Sequence, residues 1–245
     1  MKILVTGAAG TLGKLVCSKL IDEGHSVVGL DLSNSDIQQK NYQHVKNDLT
    51  KKSALLTILA DCECIVHSAV YVGNYNDNLN KALETNILGT LNLYECAKEL
   101  KIQKFILFSS APVDKEAFID DPLKWVSHAG NDHLYDVTKR LQEEIARDYA
   151  ETFNISTIIL RLGHIVSGAT NSDLSGESLN NLSYCLGGWI DCHDAAAACI
   201  AALEFNDSNF AIFNVIGSYQ KEAIFDVKNT MHKLDWKPKY RFNLE

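Results

Sequence analysis

Two side chains in this sequence, Tyr135 and Lys139, have the types and the spacing needed to transfer a proton. They form a Y-x-x-x-K pattern, and residues four apart on a helix lie on one face, one above the other. A lysine ammonium beside a phenol favours the phenolate and lowers a pKa that is normally about 10. The pattern therefore predicts that Tyr135 acts as a general acid or base near neutral pH.

The Y-x-x-x-K pattern alone is not decisive, because it also occurs at residues 42–46 and 94–98. Its position along the chain separates the three occurrences. Only Tyr135 has a serine, Ser110, 25 residues upstream at the carboxyl end of a predicted strand. Sites in open α/β sheets form at the carboxyl ends of strands, so Ser110 is predicted to lie in the same site as Tyr135.

A glycine-rich turn near the start of the chain is predicted to bind the diphosphate of a dinucleotide. The apolar run from Ile3 to Val5 indicates a buried parallel strand, and apolar residues at helical spacing follow the turn. The free N–H groups and the dipole at the start of that helix favour an anion. The alternative is a glycine-rich turn in another nucleotide-binding α/β protein. The predicted cofactor-binding residues of this turn are Gly7, Gly10, Thr11, Leu12 and Gly13.

An acidic residue, Asp31, follows the second predicted strand, about 20 positions beyond the glycines. A carboxylate there accepts hydrogen bonds from the adenosine ribose and repels a 2′-phosphate. Residues 32–34 contain no Lys or Arg to bind such a phosphate, so NAD is expected rather than NADP. Four further residues at strand ends are predicted to line the cofactor, namely Asp48, Leu49, Ser68 and Ala69.

Strands that alternate with helices predict a single α/β domain over residues 1–245, with a Rossmann-like doubly wound parallel sheet. Residues 163–188 are rich in Ser, Asn and Gly and show little periodicity. Together with residues 217–245 they are expected to form a small C-terminal substrate-binding portion. Helices are predicted over residues 78–101, 134–153, 195–203 (with Asp194 as its N-cap) and 223–234.

The composition excludes several classes of partner. A net charge of −8 argues against nucleic acid and anionic membrane surfaces. The chain enters a strand at once, which leaves no room for a signal peptide, and no apolar run is long enough to span a bilayer. Seven scattered cysteines without a C-x-x-C pair indicate reduced thiols and no zinc site, so a cytoplasmic location and no metal are expected.

An ordered set of motifs makes the chain resemble an extended-type short-chain dehydrogenase/reductase of the NAD-dependent epimerase/dehydratase family. The resemblance implies that Ser110 hydrogen-bonds the reacting oxygen, that Tyr135 transfers its proton and that Lys139 holds the ribose and tunes Tyr135. It also implies that Asn86, Tyr135 and Lys139 belong to the cofactor-binding residues, with Asn86 supporting the lysine. The helices around 78–101 and 135–153 are implied to form a homodimer interface. The motifs are TGAAGTLG, Asp31, Asp48-Leu49, IVHSA, NILGT, FSSA, YDVTK, ILRLG, WIDCHDAAAA, FNVIGS and LDWKPKY.

Departures from the family's motifs narrow the range of reactions that the chain is expected to catalyse. Ser110-Ala111-Pro112 stands where sugar-nucleotide 4,6-dehydratases have Thr-Asp-Glu, so the acid and base for dehydration are absent. No Lys or Arg lies between Arg161 and Lys221, so a nucleotide diphosphate would lack partners unless Lys221, Lys228 or Lys237 folds inward.

A smaller, sugar-like substrate is therefore expected. In its compact length, its SS turn and its closing LDWKPK, the chain is similar to uronate dehydrogenases, which oxidise a free sugar acid to its lactone. The loop 163–188 nevertheless lacks the arginine fork that a carboxylate usually requires. A nucleotide-sugar epimerase and a non-catalytic NAD-binding redox sensor are the alternatives.

Overall fold

The computed structural model describes residues 1–71, 73–74, 78–111, 133–181, 188–219 and 225–243. Its strands and helices alternate along most of the chain. The strands are β1 Lys2–Thr6, β2 Ser26–Asp31, β3 Tyr42–Lys46, β4 Cys64–His67, β5 Lys104–Ser110, β6 Ser156–Leu162, β7 His164–Ser167, β8 Ser172–Asp173, β9 Trp189–Asp191 and β10 Phe210–Val215. The helices are α1 Thr11–Asp22, α2 Lys52–Leu59, α3 Leu79–Leu83, α4 Gly89–Leu100, α5 His133–Phe153, α6 Cys192–Glu204 and α7 Val227–Lys233.

Seven parallel strands form the central sheet, in the order β3-β2-β1-β4-β5-β6-β10. The strand order reverses between β1 and β4, which creates a crevice at their carboxyl ends. This arrangement confirms the predicted Rossmann-like doubly wound fold.

Both faces of the sheet are covered, which explains the nearly continuous apolar runs of its strands. Successive side chains of β1 point to opposite faces, so Ile3 and Val5 pack with α1 and α6 while Leu4 packs with α2, α4 and α5. All three side chains are fully buried. The carboxyl ends of the strands are therefore held at one rigid edge, where the candidate site lies.

The region between residues 163 and 188 contains regular structure that the sequence analysis did not predict. Strands β7 and β8 of this region pair with β9, which follows it, in a separate three-stranded sheet in the order β8-β7-β9, and a 3₁₀ turn spans Leu179–Asn181. β7 and β8 are four and two residues long, too short to produce a recognisable alternation. The short strand that Trp189-Ile190-Asp191 predicts is present as β9. Residues 182–187, 220–224 and 244–245 of the two predicted substrate-binding elements lie outside the described residues.

The predicted N-cap of α6 was wrong. The helix begins at Cys192, and Asp191 is its N-cap, accepting hydrogen bonds from the backbone N–H groups of His193 at 2.8 Å and Asp194 at 3.3 Å. Asp191 has the extended backbone that a cap requires, whereas Asp194 already lies in the first helical turn. The carboxylate of Asp194 instead accepts from the backbone N–H of Tyr240 at 2.8 Å and anchors the C-terminal segment.

The predicted helix over 78–101 is interrupted by a π-helical turn. Between α3 and α4, residues Glu84–Leu88 adopt the wider π geometry, which often marks functional sites in helices. Among the described residues, no helix has both the length and the apolar character needed to cross a membrane. The six cysteines in this part of the chain are free thiols, and Cys185 lies outside it.

Candidate functional site

A groove of about 590 Å³ lies at the carboxyl ends of β1, β2 and β4. It brings together all ten residues that the sequence analysis assigned to cofactor binding in the glycine turn and at the strand ends. Tyr135, Lys139, Ser110 and Asn86 lie beyond this lining, on β5, α5 and the π-helical turn. The ten residues are Gly7, Gly10, Thr11, Leu12, Gly13, Asp31, Asp48, Leu49, Ser68 and Ala69.

The glycine turn requires glycine at two of its three positions. Gly7 has φ +68°, and a Cβ added there would lie 2.9 Å from the backbone of Ala69. A Cβ on Gly13 would lie 2.0 Å from the carbonyl oxygen of Gly7, so only glycine lets α1 approach β1 this closely. The turn therefore packs its backbone closely against residues 68–69, which follow β4, and against the start of α1.

The start of α1 fits a diphosphate. Gly10, the N-cap residue, has an extended backbone and no side chain that could accept hydrogen bonds from the helix. The first turn contains no acidic residue. Its first N–H groups are therefore not occupied by a capping side chain, and the helix dipole favours an anion beside them. Since the groove continues to Asp31 at the end of β2, its shape and charges fit NAD.

The carboxylate of Asp31 is held in place by two backbone N–H groups. Oδ2 accepts from Ala9 in the glycine turn at 3.0 Å, and Oδ1 accepts from Ser33 at 2.9 Å. An ionised carboxylate has about four lone-pair sites, so two remain for hydroxyl donors. The carboxylate of Asp48 also lines the groove and accepts from the backbone N–H of Thr50 at 2.9 Å.

The position of Asp31 predicts a change in cofactor preference. Asp31→Asn removes the negative charge that opposes a 2′-phosphate, so we expect the ratio of NADPH to NADH affinity to rise about 10-fold or more. Titration calorimetry with both reduced cofactors measures this ratio without a substrate. Asp22→Asn, an exposed aspartate at the far end of α1, is the matched control. An unchanged ratio in Asp31→Asn would contradict the assignment.

The predicted proton-transfer pair lies where α5 crosses the end of β5. Lys139 Nζ is 5.8 Å from the centre of the Tyr135 ring and donates to the carbonyl of Phe108 at 2.9 Å. Phe108 is two residues before Ser110, the last residue of β5, so all three predicted residues belong to one neighbourhood. Tyr135 and Ser110 are half-buried, whereas Lys139 is 6 % exposed.

The environment of Lys139 weakens its hold on its proton. Burial lowers the pKa of the ammonium from 10.5 to about 8, and the carboxylate of Glu143 opposes this effect. A lysine in this range is protonated at neutral pH and close to its transition. The side chain can therefore both present a positive charge and respond to charges nearby.

Asn86 is connected to α5 through a threonine. Its Oδ1 accepts from the backbone N–H of Tyr71 at 2.8 Å, and its Nδ2 donates to Thr138 Oγ1 at 3.0 Å. Thr138 Oγ1 in turn donates to the carbonyl of Tyr135 at 2.8 Å. Asn86 thus supports the first turns of α5, and its connection with Lys139 runs through the neighbouring Thr138.

A buried ion pair that the sequence analysis did not identify fixes α5 against the sheet. Arg161 Nε and Nη2 donate to the two carboxylate oxygens of Glu143 at 2.9 and 2.6 Å. Ser109 Oγ also donates to Glu143 at 2.6 Å, and both charged side chains are 3 % exposed. The sequence did contain a signal, because Arg161 interrupts an apolar strand and Glu143 lies four residues after Lys139.

Breaking this pair is expected to destabilise the fold strongly. Arg161→Met leaves the buried carboxylate of Glu143 without its charge partner, which typically costs about 3–5 kcal/mol in the free energy of unfolding. Lys233→Met, which removes an exposed lysine 3.8 Å from Asp207, is the control for a surface ion pair and should cost less than about 1 kcal/mol. Urea denaturation measures both. Equal losses in the two variants would refute the buried pair.

Backbone hydrogen bonds join the two ends of the segment beyond β10, which the sequence analysis predicted to bind substrate. The backbone N–H of Tyr219 donates to the carbonyl of Phe242, and the N–H of Phe242 donates to the carbonyl of Gly217. This pairing places the half-buried Arg241 over the Tyr219 ring, with 4.3 Å from the guanidinium carbon to the ring centre. The sequence analysis did not consider Arg241, which belongs to the predicted substrate element 217–245.

The other lysines and histidines that the sequence analysis considered for the pocket are exposed or lie outside the described residues. Lys228 and Lys237 are exposed, and Lys221 lies outside the described residues. His164 and His193 are exposed, while His128 and the side chain of His133 lie outside the part that the structure describes.

Comparisons with known proteins agree with this geometry. The model of the NAD dependent epimerase/dehydratase family matches residues 3–181. Protein CapI of Staphylococcus aureus is 31 % identical over 186 residues, which cover 66 % of this chain and 53 % of that protein. The chain therefore spans about half the length of this curated relative.

Two solved structures share the fold over nearly the whole chain. Uronate dehydrogenase from Agrobacterium tumefaciens is 26 % identical, with a TM-score of 0.74 and coverage of 99 % of this chain and 85 % of that one. UDP-glucose 4-epimerase from Thermus thermophilus, in complex with NAD, is 19 % identical, with a TM-score of 0.72 and coverage of 97 % and 85 %.

Proposed function

The chain belongs to the NAD dependent epimerase/dehydratase family, and from this premise we propose that it oxidises a carbinol of a small sugar or sugar acid. The observation that supports this proposal is the meeting of α5 with the end of β5. There the ammonium of Lys139 lies beside the Tyr135 ring and binds the carbonyl of Phe108, two residues before Ser110. The candidate proton-transfer group and hydroxyl donor thus lie at the carboxyl end of β5, on the sheet edge that also carries the cofactor groove.

In this mechanism each side chain has a separate task. Ser110 donates a hydrogen bond to the reacting oxygen, and Tyr135 accepts the proton of the substrate hydroxyl. The charge of Lys139 stabilises the phenolate of Tyr135 that this step requires. Bound NAD supplies the acceptor for the hydride that leaves the carbinol carbon. The products are a carbonyl compound, or a lactone from a cyclic sugar acid, together with NADH.

The charges on the substrate side favour a small substrate. The chain has no Lys or Arg between Arg161 and Lys221, and the described lysines beyond β10 are exposed. Arg241 is the half-buried cation in this part of the described structure, and its planar fork suits one carboxylate. A uronate therefore fits better than a nucleotide diphosphate, which needs several cationic partners.

The alternative is a nucleotide-sugar epimerase, which the structural likeness to UDP-glucose 4-epimerase favours. The same Ser110, Tyr135 and Lys139 would then oxidise and re-reduce the sugar with no net NADH. A redox sensor without catalytic activity remains a third possibility, but the retained tyrosine and lysine argue against it.

A panel of substrates separates these functions. The purified protein would be mixed with NAD and with free uronic acids, neutral aldoses or UDP-sugars, while NADH absorbance is followed. We expect NADH with a free uronic acid. Interconversion of UDP-sugars without NADH would establish the epimerase instead, and neither product from a protein shown to bind NAD would support the sensor.

We also propose that the chain forms a homodimer through the helices around 78–101 and 135–153. Leu88 and Leu141 lie in these segments, and each is 43 % exposed. Leu88→Glu/Leu141→Glu should convert a dimer into a monomer in sedimentation velocity, because it buries like charges in an apolar contact. Leu32→Glu, 53 % exposed in the lining of the cofactor groove, should leave the dimer intact. A monomeric wild-type protein would exclude this interface.

A further inference from the structure

A buried chain of hydrogen bonds runs from the cofactor groove to α5 through His67. His67 Nδ1 lies 2.7 Å from Thr6 Oγ1, at the end of β1, and Nε2 lies 3.0 Å from Thr90 Oγ1 on α4. Thr6 Oγ1 also accepts from the backbone N–H of Ala69 at 3.2 Å. Thr90 Oγ1 donates to the carbonyl of Asn86 at 2.5 Å. These five residues therefore connect the wall of the groove to the π-helical turn.

The direction of every proton in this chain follows from the carbonyl at its end. A carbonyl oxygen can only accept, so the single proton of Thr90 points at Asn86. Thr90 Oγ1 must then accept from His67, which places the ring proton on Nε2. Nδ1 is consequently an acceptor, and it receives the hydroxyl proton of Thr6. The Thr6 oxygen keeps a lone pair for the N–H of Ala69. Gln142 Nε2 also lies 3.4 Å from His67 Nε2, but its two protons serve the Asn86 carbonyl and Thr90 Oγ1 at shorter distances, so none is left for the ring.

The far end of the chain is attached to α5. Gln142 Nε2 donates to the carbonyl of Asn86 at 3.0 Å and to Thr90 Oγ1 at 2.8 Å. Gln142 lies seven residues after Tyr135, on the same helix face. The amide of Asn86 holds Thr138 on the preceding turn. Two successive turns of α5, on either side of Lys139, are therefore bonded to Asn86, the last residue of the hydrogen-bond chain that starts at His67.

His67 keeps its neutral form throughout the working range of pH. It is 1 % exposed, and burial, with a smaller effect from the charge of Lys139, lowers its pKa to about 3. A neutral ring has one donor and one acceptor, which is the combination that this chain requires. Protonation would place two donors on the ring, and the Nδ1–H would then face the Thr6 hydroxyl as a second donor. The geometry therefore depends on one tautomer.

We propose that His67, as the Nε2–H tautomer, is a positioning residue that ties the cofactor groove to the first turns of α5 and so fixes Tyr135 and Lys139. His67 does not touch the reacting atoms. It holds Thr90, and Thr90 with Gln142 holds the carbonyl of Asn86. The part of this inference that concerns turnover rests on the proposed function, and the part that concerns structure does not.

The tautomer is measured directly. Nitrogen NMR of protein labelled at histidine, with His67→Phe to assign the signal, should show Nε2–H and no change between about pH 5 and about pH 9. A titration in this range, or a proton on Nδ1, would overturn the proposal. This measurement requires no substrate.

Three substitutions separate positioning from packing. His67→Phe keeps a ring and loses both bonds, whereas His67→Asn retains an acceptor for Thr6 but cannot reach Thr90. His67→Gln places an amide N–H where Nε2 was and retains the donor to Thr90. We expect the amides of residues 133–142 to exchange about 10-fold faster in the Phe and Asn variants and at nearly the wild-type rate in the Gln variant.

The pattern of exchange and turnover decides the result. Turnover should fall about 10-fold or more in the Phe and Asn variants, with the Kd for NADH within about threefold of wild type and with an unchanged pH profile. His25→Phe, at the far end of β2, is the control. If amide exchange became faster over the whole protein, or did not become faster at residues 133–142, His67 would be only a packing residue. If no substrate is found, the proposed function fails, while NMR and exchange still decide this inference.

Discussion

Replacing Tyr135 with phenylalanine is expected to lower turnover on the accepted substrate by about 10²–10⁴-fold, the usual contribution of a general acid or base. The variant loses only the phenolic hydroxyl. Because the Tyr135 side chain is half-buried and its ring remains, we expect the free energy of unfolding to change by less than about 1 kcal/mol. The Kd for NADH should stay within about threefold of wild type, since the variant keeps the Tyr135 ring and all ten predicted cofactor-binding residues that line the groove.

Tyr149→Phe is the matched control, because it removes a hydroxyl from the same helix. Tyr149 donates to the carboxylate of Glu95 at 2.6 Å, far along α5 from the groove, and turnover should therefore be retained. Stopped-flow measurement of NADH formation gives both rates. Equal activity in Tyr135→Phe and the wild type would mean that another group transfers the proton, and the assignment of the Y-x-x-x-K motif would be wrong.

The sequence contained enough information for the parallel sheet and for the groove. Apolar runs such as Ile3–Val5, followed by a glycine turn, indicate strands buried on both faces, and the carboxyl ends of parallel strands meet at one edge. That rule, together with the spacing of Asp31 from the glycines, placed Asp31, Asp48 and Ser68 around one groove, where the structure has them. Their roles in cofactor binding remain predictions that the substitutions above test.

The contacts that hold the site together could not be predicted in the same way. The pair between Glu143 and Arg161 and the chain through His67 join side chains that are distant in sequence, and no local periodicity records such contacts. The N-cap of α6 shows a different limit. The sequence D-C-H-D offers two capping residues three apart, and only the backbone conformation at Asp191 decides between them.

Lys139→Met is expected to lower turnover about 10²–10³-fold and at the same time to stabilise the protein without cofactor at neutral pH. Burial lowers the pKa of Lys139 from 10.5 to about 8. The difference corresponds to about 3 kcal/mol spent on keeping the buried ammonium charged at pH 7. Methionine has a similar length and no charge, so about 1–2 kcal/mol should be recovered after loss of the hydrogen bond to Phe108.

The gain from Lys139→Met should depend on pH in a defined direction. Between about pH 8 and pH 10.5 the unfolded chain still binds the lysine proton while the folded protein has released it, so wild-type stability rises with pH relative to the variant. The advantage of methionine is therefore largest below about pH 8 and disappears by about pH 10.5. Lys46→Met, on the exposed edge of β3, should show no such trend. Urea denaturation at pH 7 and pH 10 tests this difference. A variant less stable than wild type at pH 7 would show that the buried charge of Lys139 does not destabilise the folded protein. Lys139 would then contribute to stability through packing and its hydrogen bond, and the argument that it is kept for catalysis would fail.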